Sequence, residues 1–395
     1  MLRALPFLAL LAVPFVQTST FADRWAKVAA FYRQRLQHAG IAGSSLVLVR
    51  DGVIAAKAFE GYQDAVAKRA VDEHTIYHWA SVTKTFTGVA IVQLRDRGLL
   101  ALDDPAIKYV PELREVHNPF GDMSQVTIRQ LMSHSAGFRA ATWPWGGDRR
   151  WHPFEPTRWE QLVTMFPYTE LLFKPGTKYS YSNPGIIFLG RIIEHLSGDP
   201  YEVYIAKNLF MPLGMTRSFF DRAPHHLVAN RSHSYERTDG ELQELPFDFD
   251  TGITAANGGL NAPMEDMAKW LTFLIGDAAS GSRREQYEAV LKRSSLEEMF
   301  TPQLPARDGE GGSGADVRAG LSFFIERHDG TELVGHSGDQ NGFISHLYFH
   351  RPSRSGYIVS FNTNAQSKSD PARTTRAVDN DLRDMLIREF LAPRP

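Results

Sequence analysis

The segment HWASVTKTFTG, residues 78 to 88, sets Ser81 three positions ahead of Lys84 at the head of an apolar run that continues to Gly98. Residues three apart share one face of a helix, so the lysine Nζ can reach the serine Oγ. A desolvated lysine gives up its proton more readily, and a helix N-terminus favours the negative charge that develops on an activated serine. Serine at a helix start is also a good N-cap. The two roles are compatible, and the spacing alone leaves both open: a cap for the helix that starts here, and a nucleophile with its base one turn away. No other serine in the chain has a lysine three residues later. The helix that follows, KTFTGVAIVQLRDRG, is too apolar all round to lie on a surface and is expected at the centre of the fold.

Two further groups follow in chain order. Tyr181-Ser182-Asn183, within KYSYSNPG, offers a tyrosine that beside a lysine can act as a general base, and an Asn183 amide for a substrate carbonyl. Asn183, directly before Pro184, also reads as the N-cap of the helix PGIIFLGRIIEHLSG. His336-Ser337-Gly338, within ELVGHSGDQNG, reads as a strand end before a turn. There Gly338 would let a substrate backbone approach the strand edge, neighbouring N–H groups would complete an oxyanion hole, and His336 would donate to a substrate or to the tyrosine.

Around these groups the chain reads as α+β. DRWAKVAAFYRQRLQHAG puts Trp25, Val28, Ala29, Tyr32 and Leu36 on one helical stripe and stops at Gly40. SSLVLVRDGVIAAKAFEGY has two β-type runs around Asp51-Gly52, a hairpin signal. A mostly helical middle, about residues 81–230, includes TIRQLM, with Thr127 and Gln130 at capping-box spacing. Residues 138 to 178 are rich in Trp, Pro, Gly and Phe and favour an irregular wall. The last third returns to strands before a final amphipathic helix, PARTTRAVDNDLRDMLIREFL, while GEGGSG near residue 311 reads as a loop. The order predicts one antiparallel sheet built from both chain ends, flanked by helices, with a helical block inserted and a cleft at the seam.

Composition narrows the partners. Forty-three basic against 45 acidic side chains leave a formal charge of −2, which gives no net field toward nucleic acid or an anionic membrane. The 43% hydrophobic content suits a large globular core. The chain has no cysteine, so disulfides, thiolate catalysis and Cys-bound zinc are excluded. Residues 1–22, with a basic start, the run ALPFLALLAVPFV and small or polar residues up to Ala22, fit a secretory signal peptide too short to span a bilayer at roughly 20 residues. An extracytoplasmic protein spanning 23–395, with no membrane anchor after cleavage, is therefore expected.

Taken together and in order, Ser81-x-x-Lys84, Tyr181-x-Asn183 and His336-x-Gly338 resemble the motifs of serine hydrolases related to class C β-lactamases, penicillin-binding D-Ala-D-Ala peptidases and class C-type esterases. The resemblance covers nearly all of residues 25 to 390, including LMSHSAGF (132–138), PGTKYSYSNPG (175–185) and NGGLNAPMEDMAKWL (257–271). It implies a β-lactamase/transpeptidase-like fold in which Ser81 forms an acyl-enzyme, Lys84 and Tyr181 share proton transfer, and Asn183 and His336 orient substrate. The oxyanion hole would use the backbone N–H groups of Ser81 and Asp339. One departure bears on substrate: the family's usual lysine at the head of the third motif is His336 here, largely neutral at pH 7. An ester or peptide amide, cleaved in the manner of a carboxylesterase or D-amino-acid peptidase, is thus preferred to a β-lactam or a D-Ala-D-Ala terminus. Phe138, Trp143, Trp145 and Trp151 would line an apolar acyl pocket, and Asp339 would meet a substrate amine or point to solvent.

Other readings fit less well. Ser135, Ser313 and Ser337 each lack one glycine of a G-x-S-x-G elbow. There is no H-E-x-x-H, and His346 and His350, four apart on a strand pattern, lie about 13 Å apart, too far for one ion. His225-His226 reads as a solvated loop pair. No metal or other cofactor is expected. A catalytically silent protein that binds cell-wall peptide or a partner through the same cleft remains the rival from another class.

Overall fold

The computed structural model describes residues 19–142, 156–247, 251–276, 281–305 and 316–392. The first element, α1 (Phe21–Ala39), opens with a capping box: Thr20 Oγ1 accepts the Asp23 N–H and the Asp23 carboxylate accepts the Thr20 N–H. Thr20 to Ala22, assigned above to the leader, thus contribute to its first turn. Gly40 closes the helix at φ 67°, the left-handed conformation that glycine supplies without strain.

The main sheet has nine strands. β1 (Gly43–Arg50), β2 (Val53–Asp64) and β3 (Arg69–Ala70) come from the first part of the chain. β4 (Leu304–Pro305), β5 (Asp316–Ala319), β6 (Phe324–His328), β7 (Thr331–Gln340), β8 (Phe343–His350) and β9 (Ser355–Phe361) come from the last. Their order is β3-β2-β1-β9-β8-β7-β6-β5-β4, with antiparallel pairing throughout. The two chain ends share this sheet, as the sequence predicts, and meet where β1 lies beside β9 with Leu46 opposite Val359. Asp51 and Gly52 join β1 to β2 with φ of 48° and 80°, the two positive values a type I′ turn requires.

Side-chain alternation explains the layers. Leu46 and Leu48 of β1 face α1, where Val28, Tyr32 and Leu36 are buried, and α5 (Thr375–Leu386), which contributes Val378, Leu382 and Leu386. Val47 and Val49 face the opposite way, into the larger core beneath α4 (Met264–Ile275). Each fully buried Val or Leu of this kind is worth about 1.5–3 kcal/mol. In that larger core lies α2 (Thr83–Asp96), with every residue from Thr83 to Leu94 buried and Phe86 stacked on Trp270 at 3.8 Å between ring centroids. α3 (Asn183–Ser197) shares this core through Ile186, Phe188 and Leu189.

Two boundaries differ from expectation. The helix predicted from Ser81 is interrupted: a single 3₁₀ turn, Ala80–Val82, precedes α2. The triplet His336–Gly338 does not end a strand but lies inside β7, because β8 supplies partners as far as Gln340 opposite Phe343. The turn falls instead at Asn341-Gly342, at φ 49° and 79°. Just upstream in β7, a Cβ on Gly335 would overlap the Leu347 carbonyl oxygen and crowd the Tyr348 ring. Gly335→Ala should therefore destabilise the fold by about 1–3 kcal/mol. Thermal unfolding should show a midpoint lowered by several degrees, and an unchanged midpoint would mean that β7 and β8 are packed more loosely than described.

Candidate active site

Ser81 is presented by a turn that other elements hold in place. Ala80, directly before it, has φ 46°, a left-handed conformation that costs a non-glycine residue about 1–3 kcal/mol unless its surroundings impose it. Here they do. The Trp79 N–H donates to Leu260 O at 2.8 Å, its indole N–H donates to Ala262 O at 2.9 Å, and its carbonyl accepts from Ser345 Oγ at 3.1 Å. Thr83 Oγ1 donates to Ala80 O at 2.6 Å. In this setting Ser81 is no helix cap, since neither the 3₁₀ turn nor α2 has a side-chain cap. Lying in mid-turn, its Oγ is engaged by two other groups, Lys84 Nζ at 2.8 Å and the Tyr181 hydroxyl at 2.8 Å.

Lys84 is 0% exposed. Its Nζ also donates to Asn257 O at 2.8 Å and lies 4.8 Å from the centre of the Tyr181 ring. The second motif is arranged differently from expectation at one residue. Ser182 caps α3, its Oγ accepting the Gly185 N–H, and Asn183 is the first helical residue. Relieved of the capping role, the Asn183 side chain accepts from Asn257 Nδ2 at 3.1 Å, beside the lysine. Asn257 therefore joins the site at two points, yet an asparagine within NGGL carries no chemical signal of its own. The same holds for His134 in LMSHSAGF, whose ring centroid lies 4.5 Å from that of Tyr181.

The third motif borders the Ser81 turn along a half-open strand. β6 stops opposite Gly335, so, among the described residues, 336–340 of β7 have a ladder partner only in β8. A Cβ on Gly338 would overlap the Trp79 carbonyl oxygen, so the close approach needed at this glycine is that of the chain's own Trp79. His336 is 2% exposed, with Nδ1 2.6 Å from Ser337 O. A carbonyl accepts, so Nδ1 carries the proton and Nε2 is left as a buried lone pair with no partner among the described residues. Of the two readings for the Asp339 side chain, a substrate amine or solvent, the structure has the second. Its side chain is exposed and paired with Arg376 of α5 at 2.8 Å, on the side of the sheet away from Ser81, and only its backbone N–H remains for an oxyanion.

Trp143, Trp145 and Trp151 lie outside the described residues, and Phe138 is a core residue packed on Phe188 at 5.1 Å. Among the described residues no group of three His, Asp or Glu side chains is placed to hold a metal ion.

The Beta-lactamase family model matches residues 28–381. The chain is 26% identical over 84% of its length to Beta-lactamase-like protein 4 of Dictyostelium discoideum and, over the same share, 26% identical to Protein flp of Staphylococcus aureus. It spans 58% and 61% of the lengths of those two relatives. A penicillin-binding protein homologue from Pyrococcus abyssi superposes with a TM-score of 0.72 at 29% identity, covering 90% of this chain and 77% of that one. The D-amino acid amidase of Ochrobactrum anthropi (TM-score 0.73, 20% identity, 93% and 98% covered) and a class C beta-lactamase (0.74, 17%, 94% and 97%) share the fold. With the family model spanning both ends of the sheet and the helical block between them, this chain belongs to the beta-lactamase family.

Proposed function

We propose that the protein is a serine hydrolase that cleaves an ester or a peptide amide through an acyl-enzyme on Ser81, in the manner of a carboxylesterase or D-amino-acid peptidase. The observation that carries this reading is the convergence of Lys84 Nζ and the Tyr181 hydroxyl on one oxygen, Ser81 Oγ, at 2.8 Å each. A nucleophile within hydrogen-bond reach of a tyrosine whose phenolate a neighbouring lysine ammonium would stabilise has the geometry that covalent catalysis requires. In the first step the Tyr181 and Lys84 pair, one proton short with the tyrosine as phenolate beside the lysine ammonium, takes the Ser81 proton as Oγ bonds to the carbonyl carbon. The backbone N–H groups of Ser81 and Asp339 receive the resulting oxyanion. The same pair returns the proton to the departing alcohol or amine, then takes one from the water that releases the acid and restores Ser81. Asn257 O anchors the lysine, and the Asn183 amide beside it orients the substrate. The leader-like residues 1–22 support action outside the cytoplasm.

His336 bears on which substrates fit. Burial first, then the neighbouring Lys84 charge, lower its pKa to about 3. A neutral imidazole with its free lone pair at Nε2 accepts from a substrate N–H or O–H and offers no fixed charge to a carboxylate. Asn257 Oδ1 is a second buried acceptor without a partner among the described residues. Both weigh toward esters and amides and against β-lactams or D-Ala-D-Ala termini. The name of the amidase neighbour agrees with an amide substrate.

Two predictions follow from this arrangement. Ser81→Ala should abolish hydrolysis of a short-chain p-nitrophenyl ester, and Tyr181→Phe or Lys84→Ala should lower kcat by about 10²–10⁴-fold without loss of the folded state by circular dichroism. Full turnover by Ser81→Ala would exclude the mechanism. The second concerns pH. The folded state holds His336 unprotonated down to about pH 3, and His78 down to about pH 4, whereas the unfolded chain takes up these protons near pH 6.5. The unfolded state thus binds more protons between those limits, so this contribution to stability is complete above pH 6.5 and is lost as pH falls toward 3. Thermal midpoints should fall between pH 7 and 4.5, and fall less steeply in His336→Gln. Equal slopes would show that His336 titrates as an exposed histidine.

A further inference from the structure

Both neighbours of Tyr181 are tied to one residue that takes no part in the proton transfers above. The Ser180 N–H donates to the backbone carbonyl of His134 at 2.9 Å, and the Ser182 N–H donates to His134 Nδ1 at 3.1 Å. Between these two bonds the tyrosine and imidazole rings lie 4.5 Å apart, tilted by 34°. The rings of Tyr179 and Phe324 lie further out, at 6.0 and 6.4 Å. Nδ1 accepts an N–H, so the ring is neutral with its proton on Nε2. Burial first, then the charge of Lys84 and the presence of His336, hold its pKa well below the usual imidazole value, which preserves that acceptor. The backbone of His134 is left-handed, at φ 55°. That conformation aims its carbonyl and its side chain at the two flanks of the same tyrosine.

We propose that His134 is a positioning residue that sets the Tyr181 hydroxyl against Ser81 Oγ by holding Ser180 with its carbonyl and Ser182 with its Nδ1. Its kinetic consequence rests on the hydrolase reading, but its effect on Tyr181 does not. The side-chain half of this clamp can be removed alone. Glycine and asparagine both tolerate positive φ, but only asparagine keeps an acceptor close to where Nδ1 lies. His134→Gly and His134→Asn therefore separate loss of the clamp from backbone strain.

The test combines a spectroscopic and a kinetic readout. In protein carrying ¹³Cζ-labelled tyrosine, the Tyr181 resonance is assigned by its disappearance in Tyr181→Phe. It should shift or broaden in His134→Gly and return toward the wild-type position in His134→Asn, with thermal midpoints confirming that both variants are folded. With p-nitrophenyl butyrate, kcat should fall about 10–100-fold in His134→Gly while KM changes by less than about 3-fold, and His134→Asn should recover most of the loss. An unmoved Tyr181 resonance in folded His134→Gly overturns the proposal, whatever happens to turnover. Absence of ester turnover in the wild-type protein counts against the hydrolase reading instead, and the resonance still decides the role of His134.

Discussion

A lysine whose ammonium lies wholly inside a protein must be given polar partners, because an unpaired buried charge is among the most costly features a fold can contain. Lys84 is such a residue, and its partners define the site. One is the Asn257 carbonyl, one is Ser81 Oγ, and the Tyr181 ring lies over the same nitrogen. These partners come from three separate parts of the chain. Satisfying the lysine therefore fixes the relation between the head of α2, the start of α3 and the loop before residues 260–263. The nucleophile sits at the point where these three meet.

The second constraint is the turn that presents Ser81. Ala80 is held left-handed by Trp79, which hangs from Leu260 and Ala262 on one side and from Ser345 of β8 on the other. Gly338 of β7 leaves room for the Trp79 carbonyl. Strain at the nucleophile is thus stored where the sheet and the helical block meet, and both layers are needed to keep it. This explains in physical terms why the third motif carries a glycine at its last position: the sheet must come within van der Waals distance of the backbone beside Ser81.

How much of this was legible in the sequence depends on how local the cause was. Asp51-Gly52 marked a hairpin because a two-residue turn needs two positive φ values, and Gly40 marked a helix end for a similar reason. The unbroken apolar run of α2 marked a buried helix, Ser81 and Lys84 are brought together as their spacing implied, and Tyr181 joins them as the family resemblance implied. What failed to show depended on distant partners. The 3₁₀ turn at Ser81 exists because Trp79 is held by residues 260 and 262, so the cap expected at Ser81 is absent. Ser182 rather than Asn183 caps α3, which leaves Asn183 to meet Asn257. Asn341-Gly342 was an available hairpin signal that would have placed His336 within its strand. His134 and Asn257 gave no signal as single residues, since their roles exist only through the neighbours they hold.

The most direct measurement of the central claim is the site of covalent labelling by a fluorophosphonate, whose serine adduct does not hydrolyse as an acyl group would. Purified protein would be treated briefly, its intact mass recorded and the modified residue located by peptide fragmentation. The account predicts a single adduct on Ser81, formed much more slowly in Tyr181→Phe and Lys84→Ala. Labelling at another residue, or none at concentrations that saturate ordinary serine hydrolases, would contradict it.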